Sequence, residues 1–419
     1  MLGNEVTNKI KPEINYYKYS LCLALLSCIF LFLVIVFFSP SSYIYDENNF
    51  IPNIETLRTH GLSLTFIYNI KNQSPGPLYQ IIYYVLGFGE QSNPVAMRLV
   101  NCFFLYATMI SLFYYFKATR FVIPFVALFL MSAPMTWVVS GMALTEVFAM
   151  FFMVLGIMML YLCLFVESNG FKSSTYSMLG GLFLGLSIIG RAPYLMILFI
   201  IPFLFFFSRN YVSLIIYIIA TTYFPLIVFG TWGGLTPPDV QNVQSGYNFF
   251  YGFLALGYQL VITLFISYKW LIVPVKYYIY SAMVLICAAV FNISFQVVSF
   301  DPLRTLAAKI PMVFFQDNYK YLMPAFLIWM GVLFIVIWLY NFLNKSKTFW
   351  DRFILICGIL ILLTTIKSSA QFSSRYVVQA LPLFLISYSS CICFNKTAIS
   401  LQALGVSFGI ASLLSYYFL

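Results

Sequence analysis

The stretch that decides the fold is "LCLALLSCIFLFLVIVFFSPSSYIYDENNF", residues 21–50. Residues 21–39 are nearly all apolar and carry no charge, and as a helix they are long enough to cross a hydrocarbon core of about 30 Å. Asp46 and Glu47 follow side by side, although the whole chain of 419 residues has only 12 acidic residues. The stretch therefore predicts a membrane span that ends in a loop with two adjacent carboxylates.

The composition extends this prediction to the whole chain. The sequence is 62% hydrophobic and 8% charged, whereas soluble domains carry about 25% charged residues. Its apolar runs are continuous rather than alternating, which favours helices over a β-barrel. The chain starts with polar residues and shows no small-residue cleavage pattern, so the first span is expected to remain as an anchor.

We therefore predict an all-α fold, a polytopic transmembrane helical bundle of about 13 spans (11–13) that forms a single domain over residues 1–419. The predicted spans are 19–39, 94–116, 121–139, 144–166, 175–190, 193–207, 211–230, 249–268, 277–296, 324–343, 353–369, 376–393 and 398–418.

The distribution of charge predicts how the bundle is oriented. With residues 1–18 in the cytoplasm, most of the 22 basic residues fall on the short connections of that side, as the positive-inside rule requires. The net charge of +10 is then a topology signal, so membrane lipids rather than nucleic acid are the expected partners. The long connections 40–93, 231–248 and 297–323 lie outside, and function is expected there.

The first outer loop, residues 40–93, contains the first candidate catalytic group. A carboxylate at the water–lipid boundary, such as Asp46, can serve as a general base, and Glu47 is expected to position the loop or the acceptor. Further on, "NQSPGPLYQIIYYVLGFG" (72–89) combines a stiff turn at Ser74–Pro77 with an apolar segment, 77–89, that is too short to span. We expect that segment to lie in the membrane interface as a helix and to hold Asp46 at membrane level.

Several isolated charges stand at the predicted outer ends of spans, where ionisable groups usually face a cavity or a partner. They are Arg98, Glu146, Arg191 and Arg375, the last followed by Tyr376. Arg191 and Arg375 are candidate phosphate ligands, because a guanidinium presents a planar fork of donors. Snorkelling to the headgroups is the alternative for Arg98, and pairing with one of the arginines is the alternative for Glu146.

Metal-ligand spacing is not evident in the sequence. His60 is the only histidine, and a metal site that combines it with Asp46 or Glu55 is the weaker interpretation. The eight cysteines lie mostly inside apolar runs, where small packing residues are expected. We therefore predict no metal ligands.

The first loop resembles the GT-C superfamily of integral-membrane glycosyltransferases. "YDENNFIPN" (45–53) and "SPGPLY" (74–79) are similar to the acidic pair with F-x-P and the later PPGLY of the dolichol-linked alpha-1,2-glucosyltransferase family. The protein-mannosyltransferase and aminoarabinose-transferase families share the broader layout, with a glutamate at an outer span end and "RY…P" near the last spans. The residues between the two motifs, around His60, depart from the family pattern.

The resemblance implies a hexosyl- or pentosyltransferase that takes a sugar from a polyprenyl-phosphate or polyprenyl-diphosphate donor. The acceptor is a glycan, lipid or protein hydroxyl at the extracytoplasmic face. It implies an inverting reaction with Asp46 and Glu47 as the catalytic residues, and a possible divalent cation because some relatives use one. The expected substrate-binding residues are Glu146, Arg191, Arg375, Tyr376, His60 and Arg98.

The composition, heavy in Ile, Phe, Tyr, Asn and Lys, favours a bacterial inner membrane with a periplasmic site, and the resemblance then implies a role in cell-envelope glycan synthesis. The endoplasmic reticulum with a lumenal site is the second choice. Three other functions are open from the sequence. A transporter or flippase would more often carry charges in the middle of its spans. An O-antigen ligase or polymerase usually has its long loop later in the chain, and a membrane scaffold has no use for the acid–arginine pattern.

Overall fold

The structure is a computed structural model. It describes residues 14–119, 123–167, 170–208, 210–241, 246–299, 313–344, 347–367 and 372–418. Five predicted regions therefore fall partly outside the described residues. They are the cytoplasmic N-terminus (residues 1–13), the spans 121–139 (residues 121–122) and 353–369 (residues 368–369), and the outer loops 231–248 (residues 242–245) and 297–323 (residues 300–312).

The described residues form helices and connections without any strand, so the all-α polytopic prediction is confirmed. Ten of the described helices are long and apolar enough to cross a membrane. They are α1 (Ile14–Phe38), α6 (Pro94–Thr119), α8 (Glu146–Tyr161), α9 (Gly170–Gly190), α11 (Tyr211–Trp232), α12 (Phe249–Ser267), α13 (Val275–Phe295), α14 (Val313–Leu343), α15 (Phe349–Leu363) and α17 (Lys396–Phe418).

The other three predicted spans are interrupted helices, so the span count is ten in the described residues, or eleven when one bent pair counts as a span. That pair is a 3-10 helix, Pro124–Ser132, and α7, Pro134–Gly141, which meet at 84°. Residues 193–207 form α10 (Leu195–Ile200) between 3-10 turns, and residues 376–393 form α16 (Leu381–Tyr388) between 3-10 turns. Prolines stand at these breaks, since proline lacks the amide donor that a continuing helix needs.

The first outer loop is largely helical. It contains α2 (Glu47–Phe50), α3 (Pro52–His60), α4 (Leu64–Tyr68) and α5 (Leu78–Val85). The expected interfacial helix is α5, which buries Tyr79 and Tyr83 and leaves Val85 72% exposed at its end. The buried hydroxyls are satisfied, because Tyr79 donates to the Ala143 carbonyl over 3.0 Å and Tyr83 to the Met97 carbonyl over 2.8 Å. The loop is thus anchored to the spanning helices through α5.

Close helix packing depends on small residues, as is common in membranes. In α9, a Cβ at Gly181 would lie 2.5 Å from the Tyr217 carbonyl oxygen of α11, so these two helices touch backbone to backbone. In α17, a Cβ at Gly405 would overlap the Ser132 carbonyl oxygen at the bend before α7 and lie 3.0 Å from Cβ of Phe265. The last helix is therefore fitted against the bent pair.

We expect Gly405→Ala to destabilise the protein by about 1–3 kcal/mol, because backbone must move to make room for the methyl group. Gly230→Ala is the matched control, since Gly230 is also helical and a Cβ there meets no atom within 4 Å; it should be neutral or stabilise by about 0.5–1 kcal/mol. Thermal unfolding in detergent, followed by tryptophan fluorescence, compares them. Equal midpoints for the two variants would contradict this packing.

Candidate active site

A fully buried ion pair joins Glu47 of the first loop to Arg98 of α6, and both side chains are 0% exposed. Arg98 donates from Nε to Oε1 of Glu47 over 2.9 Å and from Nη2 to Oε2 over 2.6 Å. Its remaining donors reach the Ser39 hydroxyl, the Pro40 carbonyl and the Ser42 carbonyl. All five guanidinium N–H groups are thereby used within the protein.

The carboxylate of Glu47 is equally occupied. Besides Arg98, it accepts the amide N–H of Ile44 over 2.9 Å and that of Ala143 over 2.7 Å. The pair therefore fixes the end of α1, the start of α2, α6 and the turn between α7 and α8 to one another. We call this arrangement, centred on Glu47 and Arg98, the buried clamp.

The buried clamp contains two of the predicted site residues, and neither is accessible to a ligand. Glu47 was predicted to be catalytic, but its carboxylate has no accessible surface and four internal donors. Arg98 was predicted to bind substrate or to snorkel, but it is buried and has no N–H left for a ligand. Both residues hold the first loop in place against the helices, and positioning of the loop is one of the two roles expected for Glu47.

Beside the clamp, four charged side chains form a chain of ion pairs that alternates in sign. Asp46 contacts Arg375, Arg375 Nε lies 3.4 Å from Oε1 of Glu146, and Glu146 contacts Arg191. We call this the ion-pair chain. Its members come from the first loop, the start of α8, the end of α9 and the 3-10 turn Ser374–Ala380.

Exposure differs widely among the members of the ion-pair chain. In the order of their contacts, the side chain of Asp46 is 37% exposed, that of Arg375 17%, that of Glu146 1% and that of Arg191 9%. Asp46 is therefore the most accessible member, and Glu146, which lies between the two arginines, is the most buried. The pairing of Glu146 with an arginine, an alternative left open by the sequence, is what the structure contains.

Tyr376 lies between the two arginines. Its ring centroid is 5.6 Å from Cζ of Arg191 and 5.8 Å from Cζ of Arg375, within the range of cation–π attraction. Five of the eight predicted site residues, Asp46, Glu146, Arg191, Arg375 and Tyr376, thus lie together.

Two donors in this cluster make no hydrogen bond with the described residues, namely the buried Nε groups of Arg191 and Arg375, although Arg375 Nε lies within ion-pair distance of Glu146. Buried donors without partners are rare and costly. Burial, with the charge of Arg375 as the next cause, lowers the pKa of Arg191 to about 10. A bound anion would satisfy the donors and offset the repulsion, so the site is suited to a phosphate.

The segments that carry the arginines are held by contacts on both sides. Tyr194 donates its hydroxyl to the Gln379 carbonyl over 3.0 Å, which ties the turn after Arg191 to the turn after Arg375. From the first loop, Gly76 packs directly on Ile189, where an added Cβ would overlap the carbonyl oxygen and lie 2.9 Å from the carbonyl carbon. Only glycine fits this approach, so the turn in "SPGPLY" sets the end of α9.

Backbone conformation also sets the position of Asp46. Tyr45 has φ of +49°, a left-handed conformation that is a genuine outlier for a bulky residue and costs about 1–3 kcal/mol. Its ring stacks edge-on against Tyr416 of α17 at 5.1 Å between centroids. Sequence reasoning missed the roles of Tyr45 and Gly76. The Pro-Gly-Pro motif signalled a turn, but nothing in the sequence indicated what that turn contacts.

His60 lies apart from this cluster. It is the last residue of α3, it is exposed, and it lines an open polar cleft whose lining includes none of the ion-paired residues. Among the described residues no group of three histidine, cysteine, aspartate or glutamate side chains could hold a metal ion. The possible divalent cation stays a prediction.

Comparison with known proteins gives two matches among solved structures. Both are crystal structures of ArnT from Cupriavidus metallidurans, one in the apo state and one bound to undecaprenyl phosphate. The apo structure matches with a TM-score of 0.39, 12% identity and coverage of 92% of this chain and 77% of that chain. The lipid-bound structure matches with a TM-score of 0.41, 12% identity and coverage of 93% and 78%.

A TM-score below 0.5 does not establish a shared activity. No protein-family model matches the chain, and no curated protein matches it.

Removing Arg98 should be far more damaging than removing an exposed arginine. Arg98→Ala leaves Glu47 charged and buried without its partner, which is expected to cost about 3–5 kcal/mol. The control is Arg58→Ala, which removes an ion pair with Glu55 whose side chains are 51% and 35% exposed and should cost at most about 1 kcal/mol. Unfolding midpoints in detergent measure the difference. Similar midpoints for both variants would show that the clamp is not stabilising.

Proposed function

We propose that the protein is a membrane glycosyltransferase of the GT-C type, which moves a sugar from a polyprenyl-phosphate donor to an acceptor hydroxyl. The observation that carries this proposal is the ion-pair chain, with one accessible carboxylate, Asp46, and two buried arginine donors that make no hydrogen bond with the described residues. The excess of basic residues on the opposite connections supports an extracytoplasmic site. In the bacterial inner membrane, which the composition favours, that side is the periplasm.

The charge balance of the ion-pair chain explains how a donor would engage it. The charges of its two carboxylates and two guanidinium groups sum to zero before substrate binds. A phosphodiester brings one further negative charge and competes with Asp46 and Glu146 for the arginines. Arg375 bridges both carboxylates, so its transfer to the phosphate releases Asp46, the more exposed of the two.

The reaction then proceeds by displacement. The acceptor O–H gives its proton to a carboxylate oxygen of Asp46 while the oxygen forms a bond to the anomeric carbon. The bond from that carbon to the phosphate oxygen breaks, and the polyprenyl phosphate leaves with the bonding electron pair. Arg191 and Arg375 stabilise the charge that develops on this oxygen. Attack opposite to the leaving phosphate inverts the anomeric configuration.

Asp46→Asn tests the base. We expect release of polyprenyl phosphate from a synthetic polyprenyl-phosphate sugar to fall by about 10²–10⁴-fold, since the amide cannot take the proton. Glu90→Gln, another exposed acid of the first loop, is the control and should retain activity. Unfolding midpoints verify that both variants fold. Full activity of folded Asp46→Asn would overturn the mechanism, and transport of intact donor would favour a flippase.

Arg191→Gln tests the phosphate site independently of catalysis. Polyprenyl phosphate at about 100 times its Kd should stabilise the wild type by about 2.7 kcal/mol, seen as a rise in the unfolding midpoint. The rise should vanish in Arg191→Gln, return in part in Arg191→Lys, which restores charge without the fork, and persist in the control Arg58→Gln. An undiminished rise in Arg191→Gln would exclude this site.

A further inference from the structure

The first outer loop contains a polar cleft that the proposed chemistry does not use. The cleft has a volume of about 380 Å³ and lies between α2, α3 and the segment 69–72. Its lining includes five asparagines together with Thr56, His60 and Lys71, and it has no carboxylate and no aromatic ring apart from the imidazole. A surface of this kind offers many hydrogen-bonding groups.

The floor of the cleft is fixed by a buried amide network. Asn53 donates to the Lys71 carbonyl over 2.8 Å and to Oε1 of Gln73 over 3.1 Å, and its own oxygen accepts the Lys71 amide over 3.1 Å. Gln80 of α5 adds a hydrogen bond of 2.7 Å to Oε1 of Gln73. Asn53, Gln73 and Gln80 are 4%, 3% and 0% exposed, so the cleft is preformed.

The rim of the cleft is fixed as well. Asn72 has φ of +56°, a left-handed conformation that asparagine tolerates better than most residues. The backbone N–H of Asn72 donates to Oδ2 of Asp239 over 2.7 Å, which connects the rim to the loop after α11. The side chains of Asn49 and Thr56, in contrast, are not engaged in hydrogen bonds with other described residues and are open to a ligand.

The lining chemistry matches a carbohydrate. Each carboxamide provides both donors and an acceptor, as a pair of neighbouring sugar hydroxyls requires. Pro52 is the only apolar residue that lines the cleft, so an acyl chain would meet mostly polar side chains, and a polyanion would find only one lysine.

The cleft is also adjacent to the proposed base. Asn48 and Asn49 lie in α2, two and three residues after Asp46, and the backbone amide of Asn49 donates to the Asp46 carbonyl over 3.0 Å. A glycan in the cleft would therefore continue toward the carboxylate that receives the acceptor proton.

We propose that this cleft is the acceptor subsite and that it binds the sugar units next to the reacting hydroxyl. The acceptor is then a hydroxyl-rich glycan, rather than a protein or a simple lipid. This proposal rests on the proposed transferase function, but the binding of sugar to the cleft can be measured without turnover.

The test uses the full chain in lipid nanodiscs and four neutral probes: maltotetraose, cellotetraose, chitotetraose and mannotetraose. Saturation-transfer NMR titrations should detect binding of at least one probe, weakened about tenfold or more by the double variant Asn49→Ala/Thr56→Val. The control Thr59→Val changes another threonine of α3 that does not line the cleft and should bind as the wild type does. A serine- and threonine-rich decapeptide serves as the competing class.

The outcomes of these experiments distinguish a failure of the proposed acceptor subsite from a failure of the proposed transferase function. Absence of binding by all four sugars, equal binding by the double variant, or binding of the decapeptide alone would overturn the subsite. The stabilisation by polyprenyl phosphate should persist in the double variant, because the donor site is separate, and its loss there would also overturn the assignment. Sugar binding together with full activity of Asp46→Asn would instead overturn the catalytic mechanism and leave the subsite standing.

Discussion

The buried ion pair between Glu47 and Arg98 is the interaction on which the outer face of this protein depends. A charge pair this deep is stable only when its remaining donors and acceptors are satisfied, and here all five guanidinium donors and four acceptor contacts are in place. Because one contact is the Ala143 amide, the clamp positions the start of α8 as well as the loop. Asp46 and Glu146, the two acids of the ion-pair chain, are both placed by it.

The adjacent acids at the start of α2 consequently have different tasks. Glu47 turns inward and is 0% exposed, whereas the side chain of Asp46 keeps 37% of its surface. The left-handed backbone at Tyr45 and the short helix after it send the two side chains in different directions. A rigid residue next to a reactive one is a way to hold a loop group within the tolerance that catalysis needs.

The sequence alone predicts the spanning helices well, because continuous apolar length is a local property and ten predicted spans are single helices. It also indicates the residue types of the site. The sequence does not show which residues contact one another, since Asp46 and Arg375 are 329 positions apart. It also does not distinguish Arg98, whose donors are all hydrogen-bonded, from Arg191, whose Nε group is not. The bends at Pro134, Pro193 and Pro382 were not predicted, because an apolar segment has the same hydropathy whether its helix is straight or bent.

The ion-pair chain and the buried clamp differ in how many of their arginine donors are hydrogen-bonded. In the clamp every donor has an acceptor, so a ligand could enter only by replacing contacts that hold the fold. In the ion-pair chain two arginine Nε groups make no hydrogen bond and one carboxylate is accessible. An anion could therefore form hydrogen bonds there without replacing contacts that hold the helices together. The protein thus combines one arginine, Arg98, whose donors are all used to fix geometry, with two arginines whose Nε groups make no hydrogen bond with the described residues; these are the groups that we propose bind phosphate.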